Sequence, residues 1–250
     1  MPLTRDELAA FATNGALVKR NLIPHHLVQS AAALVNDWYQ SHMDPAKITV
    51  YSQRTFAPDL SSHPDLLALF SNSGVTDLVV QLVGDYQPAN SVQIQIRVPE
   101  ATLPGAQPEK AMHVDGVACP HLDPAELRTF SLLVGVVLSD ITDQAAGALR
   151  YVTGGHLRMA EWFRTEWSLG MTDQVPPHID AEQGTPLLGR PGDVLLMHHL
   201  VPHSVGRNHT GQPRVMAYFR VSHVDHPARR MDALRNPWLD YPALTAVSIG

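Results

Sequence analysis

The stretch that most constrains the fold is Ala111-Met-His-Val-Asp115, taken with Met197-His-His-Leu-Val-Pro-His-Ser-Val-Gly-Arg-Asn-His-Thr-Gly-Gln-Pro-Arg214. Side chains two apart on an extended backbone share a face, so the His113 imidazole and the Asp115 carboxylate converge. A second imidazole would complete a 2-His-1-carboxylate set, which holds Fe(II) on one side and leaves three coordination positions open. His203 is the candidate, and it lies far along the chain, so a distant strand must be laid beside the first. Arg214, eleven residues beyond His203, carries a planar guanidinium suited to a bidentate grip on a small dicarboxylate beside the metal. His198, His199 and His209 are close by in sequence, but an imidazole bonded to backbone is the commoner fate and they are read as bystanders.

Composition sets the outer bounds. A chain of 250 residues with 44% hydrophobic content can bury a sizeable core, and one domain is expected over residues 1–250. A net charge of -6 and a pI near 6.1 leave no basic footprint for nucleic acid. No apolar run approaches membrane-spanning length, so a small-molecule substrate is the expected partner, with the chain a monomer or homodimer. The amino terminus lacks a basic region followed by an apolar core, and the single cysteine allows no internal disulfide; both fit a cytoplasmic protein. Arginine far outnumbers lysine and Ala and Pro are plentiful, which suggests a GC-rich bacterial genome.

Along the chain, Thr4-Arg-Asp-Glu7 has the form of a capping box opening a short helix that Gly15 ends. Ala16 to Ile23 reads as a strand and turn. Pro24 starts a helix to about Tyr39, and a broken helical region spans Pro64 to Val83. This helical support covers roughly 1–90, and a β core follows over roughly 91–225. From Ser91 to Val98, Val92, Ile94, Ile96 and Val98 alternate with Gln93, Gln95 and Arg97, which marks a strand whose polar face meets either water or a polar barrel mouth. Residues 99–110 form a loop that delivers His113. Thr129 to Leu138 is an interior strand, and Gly147 to Val152, Asp193 to His199 and Arg214 to Ser222 are further strands. Residues 156–189 form an insertion with Trp162, Phe163 and Trp167: a lid over the site, or aromatics capping the barrel wall. The tail after Asp225 shows little pattern. Arg150 and Cys119 are given structural roles.

The ordered set His113-Val-Asp115, Gly147-Ala-Leu-Arg-Tyr-Val-Thr-Gly-Gly-His156, Pro191-Gly-Asp-Val-Leu-Leu196 and His203 with Asn208, Thr210 and Arg214 resembles the phytanoyl-CoA dioxygenase family of Fe(II)- and 2-oxoglutarate-dependent oxygenases. The resemblance covers about the second half of the chain. It implies a mainly β fold with α, a double-stranded β-helix (jelly-roll, cupin-like) core with supporting helices at its amino-terminal side. It implies Fe(II) held by His113, Asp115 and His203, with Arg214 on the far carboxylate of 2-oxoglutarate. Together with O2 these would oxidise, most simply hydroxylate, an unactivated C–H bond, releasing succinate and CO2. Secondary metabolism is the expected setting.

In the family a residue on the strand before the His-x-Asp touches 2-oxoglutarate, which points to Gln93 or Gln95. Relatives also carry a serine two positions after the distal histidine. Here Val205 holds that place, so Ser204 or Thr210 is expected to supply the hydroxyl. Where relatives carry a large aromatic on the Thr129 to Leu138 strand this chain has Gly135, which suggests an enlarged pocket. Asp115 argues against a halogenase, whose relatives leave that coordination position to chloride. Two other readings stay open: a cupin-type metal-dependent isomerase or hydrolase without 2-oxoglutarate, and a non-catalytic binding protein on the same fold.

Overall fold

A computed structural model describes residues 2–117, 123, 126–170, 174 and 176–245. The chain opens with α1 (Arg5–Asn14), capped as its sequence requires: the Glu7 amide donates to Thr4 Oγ1 at 3.2 Å and the Thr4 amide to Glu7 Oε2 at 2.9 Å. Gly15 ends it at φ 72°, in the left-handed region that favours glycine. Next come β1 (Ala16–Lys19), α2 (His25–His42), α3 (Ile48–Gln53), α4 (Pro64–Ser71) and α5 (Val75–Val83). Asn72 and Gly74 separate the last two. The break leaves Leu66, Leu69 and Phe70 on one segment and Val75, Leu78, Val79, Leu82 and Val83 on the other free to bury separately.

The β region comprises β2 (Gln93–Arg97), β3 (Lys110–His113), β4 (Leu132–Val137), β5 (Leu149–Tyr151), β6 (Thr185–Pro186), β7 (Val194–His198), β8 (His203–Val205) and β9 (Arg214–Val221), with α6 (Gly155–Thr165) between β5 and β6. They form two antiparallel sheets, ordered β1-β7-β4-β9-β2 and β3-β8-β5-β6. This is the double-stranded β-helix that the resemblance implied.

Strand alternation divides the larger sheet into two faces. Ile94, Ile96, Leu132, Val134, Val136, Val194, Leu196, Ala217, Phe219 and Val221 pack against the helices, in one core with Phe11, Val28, Leu69 and Leu78. Their neighbours Leu133, Val137, Leu195, Met197, Met216 and Tyr218 point into the barrel with Leu149 and Val205. Burying each such side chain contributes roughly 1.5–3 kcal/mol, so the helical layer fixes the sheet whose other face carries polar groups. The stretch after Asp225 folds into α7 (His226–Arg235) and α8 (Pro242–Thr245) despite its weak pattern. Burial of Ala233 and Leu234 supplies what periodicity does not.

Residues 156–189 are only partly irregular, since β6 joins the smaller sheet through Tyr151↔Thr185 and Arg150↔Pro186. Trp162, Phe163 and Trp167 form a cluster with Val114, Met159, Leu200 and Leu234 on the barrel's outer wall. Among the described residues, none from this segment lines the cavity described next. These three aromatics therefore pack on the wall, while Met159 and residues 176–180 of the same segment line a separate groove that reaches His113.

Candidate metal and anion site

β3 and β8 set the centre of the site through an irregular register. Lys110 pairs with Val205 and His113 with His203, so three steps along β3 match two along β8. That extra residue is a bulge, which re-aims a side chain. It lets both Lys110 and His113 look into the barrel, where simple alternation would put them on opposite faces. The two imidazole rings lie 4.5 Å apart, centroid to centroid. His113 Nδ1 donates to the Ala111 carbonyl at 2.7 Å and His203 Nδ1 to the Val201 carbonyl at 3.0 Å, because a carbonyl can only accept. Each ring thus presents Nε2 toward Asp115. Oδ1 of Asp115 is 3.4 Å from His113 Nε2 and 3.8 Å from His203 Nε2.

A metal with ligands near 2.1 Å at right angles needs donors about 3 Å apart, so these three atoms could close on one ion with small adjustments. They are the group of His, Cys, Asp and Glu side chains found close enough to do so among the described residues. All three residues are buried. Burial, and next the neighbouring His113, pushes His203 down to about 4, which keeps it an uncharged ligand at neutral pH. Burial pushes the Asp115 carboxyl up, but Arg220 and the two histidines outweigh it and hold the group well below the usual carboxylate range.

Arg214 lies in the same cavity, 1% exposed. Its Nε donates to the Gly147 carbonyl at 3.0 Å, while Nη1 and Nη2 meet no carboxylate and no acceptor in good hydrogen-bond geometry, the Tyr218 hydroxyl beside the guanidinium being the nearest polar partner. Burial lowers its pKa and Tyr218 beside it acts the other way. A buried guanidinium with its fork unanswered is costly, and a carboxylate is the group whose shape matches it. Arg97 sits opposite Arg214 across β2 and β9, donates to the Pro108 carbonyl at 2.5 Å and is pushed down to about 9 by burial and then by Arg214. It ties the 99–110 loop to the barrel.

The remaining sequence candidates divide. Gln93 and Gln95 do line the cavity. Both amides donate to the Arg54 carbonyl, at 2.6 and 2.5 Å, so their NH2 groups already have a partner. Ser204 is brought to the wrong face. His203 and Val205 look inward on β8, and Ser204 between them cannot. Thr210 is also elsewhere: its hydroxyl donates to Asn208 Oδ1 at 2.7 Å and stabilises the 206–213 turn. Gly135 does not enlarge the pocket. The Tyr218 ring, from the paired position on β9, covers it so closely that a Cβ there would stand 2.8 Å from Cε1. Arg220 went unassigned in sequence. It projects from β9 on the same face as Arg214 and Tyr218 and donates from Nη2 to Asp115 Oδ2 at 2.7 Å. The signal that could have found it is the alternation of Arg214, Met216, Tyr218 and Arg220 along one face of the strand.

The bystander histidines bind backbone as anticipated: His198 Nε2 meets the Pro237 carbonyl at 2.6 Å and His199 Nδ1 the Ser131 carbonyl at 3.2 Å. His209 is exposed beside Glu100. Arg150 donates to Gln144 and to the Glu182 carbonyl. Cys119 lies outside the described residues. A separate groove of about 430 Å³ also borders His113 and is lined by Met112, Val114, Met159 and Ile179 among others. It shares neither Asp115 nor Arg214 with the inner cavity.

A family model described as phytanoyl-CoA dioxygenase matches residues 11–216. No curated protein matches the chain. Among solved structures, HygX from Streptomyces hygroscopicus with nickel and 2-oxoglutarate bound is 20% identical, with a TM-score of 0.60 over 90% of this chain and 88% of that one. EctD from S. alaskensis with 2-oxoglutarate and 5-hydroxyectoine is 19% identical, TM-score 0.63, over 89% and 77%. The carbocyclase SnoK from nogalamycin biosynthesis is 16% identical, TM-score 0.58, over 91% and 90%.

Proposed function

The chain belongs to the phytanoyl-CoA dioxygenase family of 2-oxoglutarate-dependent iron oxygenases, and on that premise we propose that it hydroxylates an unactivated C–H bond of a small metabolite or natural-product intermediate, releasing succinate and CO2. The observation that carries this reading is the unanswered Arg214 fork in a cavity that also holds the His113, Asp115 and His203 donors. A cupin-type isomerase would leave that buried cation without an anion, as would a binding protein whose ligand is neutral.

In this reading His113, Asp115 and His203 hold Fe(II), and Arg214 receives the far carboxylate of 2-oxoglutarate. Iron, cosubstrate and O2 supply the oxidising power that no amino-acid side chain has. The protein's own residues do the rest. The two backbone carbonyls fix the imidazole tautomers, and Leu133, Leu149 and Val205 supply the apolar part of the cavity lining. Arg214 sets the cosubstrate's direction. A small-metabolite or natural-product substrate is supported by SnoK's place in nogalamycin biosynthesis and by the 5-hydroxyectoine bound to EctD.

Anaerobic addition of Fe(II) and 2-oxoglutarate should develop a visible charge-transfer band, absent in His113→Ala. Substrate candidates would then be found by the succinate release they stimulate. Folded protein that gives no band would defeat the proposal.

A further inference from the structure

A carboxylate ligand can offer a metal one oxygen or both, and the choice decides how many positions stay open for other ligands. We propose that Arg220 is a positioning residue that confines Asp115 to a single metal-facing oxygen. The inference rests on the iron-site reading above. Oδ1 alone faces His113 and His203, at 3.4 and 3.8 Å, while Oδ2 is engaged by Arg220 Nη2 at 2.7 Å. To chelate with both oxygens, Asp115 would have to surrender that charge-assisted bond inside a buried site.

The guanidinium is itself held in place. Nη1 donates to Gln93 Oε1 at 2.6 Å, Gln93 donates onward to the Arg54 carbonyl at 2.6 Å, and the Arg220 cation lies 5.4 Å from the centre of the Phe130 ring. The planar fork therefore spans two acceptors at once, which a lysine ammonium at this position cannot reproduce. An exposed ion pair is worth little; here the Arg220 side chain is 37% exposed and partly screened, but the pair ends on a carboxylate whose side chain is only 9% exposed. Gln93 gains a role by the same route: it positions Arg220, with its own NH2 already given to Arg54. The consequence is functional. With Asp115 occupying one position and the histidines two, three remain, as a chelating keto acid and O2 require.

The test uses the full chain with Co(II) as a spectroscopic probe and 2-oxoglutarate as titrant. Arg220→Gln should still bind Co(II), but with an altered visible spectrum and a 2-oxoglutarate affinity lower by about tenfold or more, the usual size of effect for a group that orients a ligand. Arg220→Lys should recover part of the affinity. Gln93→Leu loosens the guanidinium without touching Asp115, so it should shift spectrum and affinity the same way by less, and it serves if Arg220→Gln does not fold. An unchanged Co(II) spectrum with unchanged 2-oxoglutarate affinity would overturn the inference, as would a loss of Co(II) as complete as in His113→Ala. Normal Co(II) binding by His113→Ala would instead defeat the metal-site reading beneath it.

Discussion

Arg214→Met should stabilise the ligand-free protein while abolishing useful affinity for 2-oxoglutarate. In the free protein Nη1 and Nη2 are buried without acceptors, and Arg97 lies directly across the strand pair. Each unsatisfied buried group costs about 1–3 kcal/mol, and more when charged. The substitution also removes the Nε bond to the Gly147 carbonyl, which contributes about 1 kcal/mol. A net gain of at least about 1 kcal/mol follows, or a Tm higher by at least about 2–4 °C for a chain of this size. Binding moves the other way. Two charge-assisted bonds to a carboxylate are worth about 1.5–3 kcal/mol each, so their loss weakens 2-oxoglutarate by roughly a hundredfold to ten-thousandfold. Differential scanning fluorimetry of metal-free protein reads the first effect, and calorimetric titration of the Co(II) form with 2-oxoglutarate reads the second. Co(II) affinity should stay put, since Arg214 touches none of the three donors. A variant that is less stable without ligand yet binds 2-oxoglutarate as before would refute the reasoning, because the guanidinium would then be a structural brace.

Gly135→Ala should destabilise by about 1–3 kcal/mol through overpacking, since its Cβ would press on the Tyr218 ring at 2.8 Å; chemical denaturation measures this, and combining it with Tyr218→Ala should cost less than the two changes added. Acid should loosen the fold of the metal-free protein before most carboxylates titrate. Burial holds His156 near 4, His199 near 3 and His198 well below its ordinary value. Their depressed folded values mean the unfolded chain takes up protons first, so stability is full above about pH 6.5 and is lost as pH falls toward 4 to 3. Each group contributes a slope of at most about 1.4 kcal/mol per pH unit, and a Tm that stays level from pH 7 to pH 5 would contradict the buried neutral cluster.

What the sequence could and could not disclose follows from the range over which each interaction is decided. The capping box at Thr4 and Glu7 and the break between α4 and α5 depend on neighbours a few residues apart, and local pattern shows them. His113, Asp115, His203 and Arg214 were legible for a different reason. Their chemistry permits few uses in that order, and the family match spans them. Gly135, Ser204 and Arg220 were not legible, because each is settled by which strand lies opposite and in what register. Gly135 suggests space only until β9 is placed so that Tyr218 covers it. Ser204 suggests a cavity hydroxyl only until the β3 bulge aligns His113 with His203 and gives the inward place to Val205. Arg220 reads as an ordinary polar strand residue until that register brings Asp115 to within 2.7 Å. The residues that sequence misplaces are therefore those whose partners arrive across a sheet.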